Sequence, residues 1–224
     1  MAVHARAARG DGKDLMTKGE LKFSYPQSVV DDMARRGKGI GSLRETQAER
    51  QFADMRPTID RWSRDLAIRS VLDIGCGLAL IDIMIARHYL VDEVHLIDGD
   101  GSSQKGVGYD PDAVAWNDVR LGADMVRANV PDDDVIVTPH FAPGDWPRMG
   151  KFDLVISCRS WCHHYPAATY ARQVAASLTP GGLVITDIRR KTNGLQTMLD
   201  AGFRVLERVP DPSDKLERLA FVKA

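Results

Sequence analysis

From Ser70 to Ile188 the chain alternates short runs rich in Val, Ile and Leu with helical patterns, and this alternation constrains the fold more than any other feature. "SVLDIG", "EVHLID", "DVIVTPH", "FDLVISC" and "GLVITDI" read as strands. "ALIDIMIARHYL", "PDAVAWNDVRLGADMVRANV" and "AATYARQVAASL" read as helices between them, the second with Pro111 at its start. Strands that carry apolar side chains on both faces must be covered on both faces, which specifies a parallel sheet between helical layers. The end of the chain differs. After the helix "TNGLQTMLDAG", "FRVLERV" and "LERLAFVK" are joined by "PDPSD", which is too short to hold a crossover helix. These two strands are therefore expected to be antiparallel neighbours.

Upstream, the first 26 residues read as irregular, with Arg and Ala but without the apolar core of a signal peptide. "QSVVDDMARRGK" reads as a short helix closed by glycines. Ser42 with Glu45 makes a capping-box pattern at the start of "SLRETQAERQFADM". Pro57 is expected to interrupt that helix, and "PTIDRWSRDLAI" to continue as another with Ile59, Trp62 and Leu66 on one face. Residues 1–68 thus read as a tail and helical cap segment, and residues 69–224 as the ligand-binding domain. No run approaches the roughly 18 apolar residues of a membrane span. Cys76, Cys158 and Cys162 are too few for a disulfide framework, which points to a reducing, cytoplasmic setting.

The ligand site is expected where the first strand ends. Asp73-Ile74 is followed by Gly75-Cys76-Gly77, a turn in which backbone can approach a ligand closely. Asp98 closes the second strand at about the 20-residue interval at which an acid meets a ribose. This pairing indicates a nucleoside-containing cofactor. A dinucleotide would ask for a third glycine, but Leu80 stands there. Asp73 would also repel a pyrophosphate and attract an ammonium group. S-adenosylmethionine has an ammonium group, a positive sulfur and no phosphate, and it fits this turn better.

The motifs then become specific. "VLDIGCGLA" resembles the first motif of class I S-adenosylmethionine-dependent methyltransferases, and "VHLIDGD" is similar to their second. "FDLVISCRSWCHHYP" and "LTPGGLVITD" resemble their fourth-strand motif and the turn into the fifth strand, and the antiparallel ending is also theirs. The resemblance covers about Ser70 to Ala224 and implies a Rossmann-like, doubly wound α/β fold: a mostly parallel seven-stranded sheet with an antiparallel last strand, plus N-terminal helices. It implies that Asp73, Gly75 and Gly77, with Cys76 packed in the turn, line the methionine portion of the cofactor. Asp98 would accept the ribose hydroxyls, and Gly99 and Asp100 would lie beside the adenosine. Ser157 and Cys158 would lie under the methionine end. The family's adenine-binding acid after the third strand has no counterpart here. That position falls near His140 or Phe141, with Asp145 as a substitute.

Methyl transfer is an in-line displacement, so positioning does most of the work, and a hydroxyl nucleophile also needs a base. "CRSWCHHYP" is the loop in which the family places substrate-facing groups. His163 matches the histidine of its "HH" segment, and either His163 or His164 could act as base. Arg159 could fork an anionic group, and Trp161 and Tyr165 either contact substrate or pack. The glycine-rich insert "GDGSSQKGVGYDPDAVAW" offers Lys105 and Tyr109 as further substrate contacts. Cys158, Cys162, His163 and His164 have zinc-ligand chemistry but not finger spacing, so no metal is expected.

The Asn/Asp-Pro-Pro-aromatic motif of nucleic-acid and protein amine methylators is missing from "SCRSW", and the formal net charge of -1 argues against nucleic acid. The expected activity is methyl transfer to an O or N nucleophile of a small polar molecule, such as a sugar or an anionic metabolite. The alternatives are an RNA or protein methyltransferase and, further off, a non-catalytic cofactor-binding module. No membrane partner is expected.

Overall fold

The computed structural model describes residues 22–36, 42–64, 66–102, 109–113, 115, 117–130, 134–147, 151–211 and 214–224. At its centre is β1 (Ser70–Ile74), buried at every position. It pairs in parallel with β2 (Glu93–Asp98) on one side and β4 (Phe152–Ser157) on the other. β3 (Ile136–Phe141) extends the sheet beyond β2, and β6 (Leu178–Arg189) extends it beyond β4. The last pair, β7 (Phe203–Val209) and β8 (Leu216–Lys223), closes the order β3-β2-β1-β4-β6-β8-β7. β8 runs antiparallel to both neighbours. The seven-stranded sheet, its antiparallel last strand and the antiparallel pairing of β7 with β8 match the expectation. A further extended segment, β5 (Ser160–Tyr165), stands outside this order.

Side chains alternate between two cores. Val71, Val94, Leu96, Leu154, Ile156, Leu183 and Ile185 face one layer. That layer contains α3 (Leu80–His88), α4 (Val119–Asn129) and the N-terminal helices α1 (Gln27–Arg35) and α2 (Ser42–Trp62). Leu72, Ile74, Val155, Val184 and Phe221 face the other layer, with Trp161, Tyr170, Val174 and Met198. Trp161 and Tyr165 from β5, α5 (Ala171–Ser177) and α6 (Gly194–Asp200) cover that side.

Two local expectations are corrected. Pro57 does not interrupt its helix: α2 runs from Ser42 to Trp62 with Pro57 inside. An internal proline costs ~3 kcal/mol. Phe52, Met55 and Ile59, on both sides of it, are fully buried in one core, and each such burial contributes about 1.5–3 kcal/mol. The helix after β2 does not start at Pro111 either. It starts at Val119, capped by the Asp118 side chain on the Arg120 N–H. The residues before it fold back instead, with Gly99 and Asp100 bridging to Asp118.

Candidate active site

Strand order reverses at β1, between β2 and β4, so the chain leaves these strands in opposite directions and opens a crevice at their carboxyl ends. A cavity of about 440 Å³ lies there. Its floor is the turn after β1. Gly75 and Gly77 have φ of 79° and 58°, in the left-handed region. The Gly75 N–H donates to the Ile97 carbonyl at 2.7 Å, tying the turn to β2. A Cβ on Gly75 would lie 1.6 Å from Ser160 Oγ, so only glycine lets β5 approach this closely.

Three acids serve the floor. Asp98 is 1% exposed and its carboxylate is fully engaged. One oxygen accepts from the Gly99 N–H (3.0 Å) and the Asn117 N–H (2.9 Å). The other accepts from the Gly77 N–H (3.0 Å) and Asn117 Nδ2 (3.1 Å). Asp73 is buried, lines the cavity and has one carboxylate oxygen without a donor. Asp82, in the first turn of α3, faces it from behind. Burial, followed by the Asp82 carboxyl and the Asp98 charge, holds the Asp73 pKa well above the usual carboxylate range. Burial pushes Asp82 up to about 7, against the opposing hydrogen bond with Asp73.

The upper wall comes from β5 and the N-terminal helices. Arg36, Arg44, Arg159, His164 and Tyr165 line it. Arg36 is paired with Asp32 at 2.7 Å, and Arg44 contacts the Met33 sulfur. Arg159 has φ of 55°, and its backbone N–H donates to Asp187 at 2.8 Å. Asp187 is in turn held by Arg218, at 2.8 and 3.0 Å, and Arg218 also meets Asp211 at 3.2 Å. This fully buried charge network anchors the backbone of the Arg159 turn.

The cavity therefore gathers Asp73, Gly75, Cys76, Gly77, Asp98, Cys158, Arg159, His164 and Tyr165. Other anticipated residues lie elsewhere. Ser157 is buried below, donating to the Ile74 carbonyl and accepting from the Trp161 N–H. Trp161 is fully buried, with its indole N–H on the Ala167 carbonyl, so it packs. His163 is buried and is not among the residues that line the cavity. Burial, then His164, Arg189 and Arg159, bring its pKa down to about 4. Gly99 backs onto the Asn117 carbonyl, and Asp100 closes a turn on Ser102. Phe141 lies under the Arg120 guanidinium, Asp145 pairs with His140, and Tyr109 stacks with Arg189. Lys105 lies outside the described residues.

A family profile described as a methyltransferase domain matches residues 44–201. The chain belongs to this methyltransferase family. It is a class I enzyme, and the methyl donor of that class is S-adenosylmethionine. No curated protein matches the sequence significantly. The methyltransferase is similar to solved structures that share its fold. One is a magnesium protoporphyrin IX methyltransferase from Synechocystis PCC 6803, solved with bound SAH (16% identity, TM-score 0.54, 88% of this chain and 95% of that one). Another is a putative S-adenosylmethionine-dependent methyltransferase from Listeria monocytogenes (14%, TM-score 0.53, 78% and 98%). A third comes from Clostridium acetobutylicum (12%, TM-score 0.53, 87% and 96%).

Sequence reasoning missed Asn117, Asp82, Asp187, Arg218, Arg36 and Arg44. Two of them left a signal. Asp82 is an acid inside the apolar helix "LIDIMIARH", and Asp187 is an acid near the end of a buried strand.

Proposed function

We propose that this methyltransferase modifies an O or N nucleophile of a small acceptor that carries an anionic group. The observation that carries this reading is the placement of Arg44 and Arg159 on the wall of the same cavity whose floor holds Asp73 and the glycine turn. A guanidinium binds carboxylate or phosphate through paired donors, which orients the acceptor as well as holding it.

In this reading Asp73 takes the donor's ammonium group, the Gly75–Gly77 turn lies along its methionine portion, and Asp98 faces its ribose. Asp73 lines the cavity, and a carboxyl group there fits a cationic amine. The donor supplies a methyl group on a positively charged sulfur. Arg44 and Arg159 hold the acceptor's anionic end. His164, the histidine that lines the cavity, takes the nucleophile's proton. Tyr165, hydrogen-bonded to Ser160 at 3.1 Å, shapes the wall next to Gly75.

The test is a screen of small acceptors with a labelled methyl donor, divided into anionic, neutral and cationic sets, with bulk RNA and peptide as further arms. Turnover confined to the anionic set supports the reading. Labelling of RNA or peptide, or of neutral acceptors alone, overturns it.

A further inference from the structure

Asp82 has no part in the reading above, and its surroundings are unusual. It is fully buried, and neither carboxylate oxygen meets a donor from another residue; the donor beside it is its own backbone N–H. The group in hydrogen-bonding contact with it is another acceptor, the carboxyl of Asp73. Asp73 lines the cavity floor and also has one buried oxygen without a donor. Two ionised carboxylates at 4 Å would repel by about 4 kcal/mol even in an effective dielectric of 20, and less as the separation grows. A proton held between them replaces that repulsion with a hydrogen bond.

The other titratable groups facing the pair reinforce this. Asp98, at the end of β2, adds a negative field. Cys76, from the glycine turn, and Cys158, after β4, are thiols whose ionisation is suppressed by burial. The same acids suppress Cys76 further, and they act on Cys158 against an opposing pull from Arg218. His164 lines the cavity farther up.

We propose that Asp82 is the second carboxylate of the methyl donor's ammonium subsite: it shares a proton with Asp73, and the ammonium group docks only on the singly ionised pair. This rests on the assignment of the cavity floor to the methyl donor. In acid both carboxyls are protonated and the pair is neutral. Loss of one proton to solvent leaves one proton held between the two groups and a single negative charge, presented at Asp73. That charge matches one ammonium group. Binding to the neutral pair therefore expels one proton for each donor bound. Asp82 acts through Asp73 and is a positioning residue.

The experiment is titration calorimetry of the full chain with S-adenosylhomocysteine and with S-adenosylmethionine, in buffers of different ionisation enthalpy. Measurements at about pH 6 and about pH 7.5 stay below the titration of a free α-amino group near 8. The wild type is expected to release close to one proton at the lower pH and little at the higher. Its affinity should fall by up to about tenfold for each pH unit below the pair's titration. In Asp82→Asn the amide donates to Asp73 and keeps it ionised. Binding is then expected to persist while proton release and pH slope disappear. A proton taken from His164 would survive this substitution. Binding by the wild type without proton release, or an equal slope in both proteins, overturns the proposal and leaves the cofactor reading intact. No binding by the wild type at either pH overturns the cofactor reading and the proposal with it. If Asp82→Asn fails to fold, the wild-type proton count decides.

Discussion

Asn117 and Asp98 are joined twice: the Asn117 N–H donates to one oxygen of Asp98 at 2.9 Å, and its Nδ2 donates to the other at 3.1 Å. Asn117 lies just before α4 and Asp98 at the end of β2, so the chain that leaves β2 returns to cap the acid that ends it. With the Gly77 and Gly99 N–H groups, four donors fix this carboxylate in place. Asp98→Ala leaves three backbone donors without their acceptor, the buried Gly99 N–H at about 1–3 kcal/mol and the part-buried Gly77 and Asn117 N–H groups at less. We expect a lower melting temperature and at least about tenfold weaker donor binding by calorimetry. Unchanged affinity would show that the ribose binds elsewhere.

Gly75→Ala is expected to abolish donor binding. The added Cβ would overlap Ser160 Oγ at a backbone φ of 79°. Gly181 is the matched control: its φ is 81°, but nothing lies within 4 Å of a Cβ there. Gly181→Ala should lose only about 1–2 kcal/mol in denaturant melts, from left-handed strain, and should keep donor affinity. Equal losses at both sites would refute the role given to the contact with β5.

Arg218→Met leaves Asp187 buried without its guanidinium partner. Breaking a buried pair on one side costs about 3–5 kcal/mol, read as a lower denaturation midpoint. The double variant Arg218→Met, Asp187→Leu should recover part of that stability, because no stranded charge remains. It should not recover acceptor turnover, because the Arg159 N–H has lost its acceptor.

His163 should make the fold acid-sensitive. Its folded pKa lies below its ordinary value, at about 4, chiefly because of burial. The folded state therefore binds fewer protons than the unfolded chain. The stability this represents is present above the unfolded pKa of about 6.5 and is lost as pH falls towards 4, by about 3 kcal/mol in all. His163→Gln should flatten the loss of stability between pH 6.5 and 4. Parallel curves for the two proteins would exclude His163 as its source.

Arg159→Gln and Arg44→Gln should raise KM for an anionic acceptor about tenfold each, as expected for loss of a charge-assisted contact. kcat at saturation should change less, and donor affinity should not change. Steady-state kinetics with both substrates varied separates these effects. A fall in donor affinity instead would move both arginines to the cofactor half of the cavity.

Much of this was legible in the sequence, because strand periodicity, the glycine turn and the acids at strand ends are local patterns. Asp73, Gly75, Gly77 and Asp98 all lie at the ends of the two strands beside the reversal in strand order, and they share one cavity. His163 and His164 show the limit. They are adjacent in sequence, but His164 lines the cavity and His163 does not, in a segment whose alternation is broken by the left-handed φ of 67° at Cys162. No pattern in "CRSWCHHYP" says which.

The sequence by itself determined the order of elements, the parallel sheet with its antiparallel close, and a turn suited to a cationic, phosphate-free ligand. Each follows from side chains a few residues apart. Tertiary structure alone decided that α2 runs through Pro57, that Asn117 caps Asp98, that Asp82 faces Asp73, and that Arg44 and Arg159 share one wall. These outcomes depend on burial and on electrostatics between groups far apart in the chain. Such energies exist only once the sheet has brought the groups together.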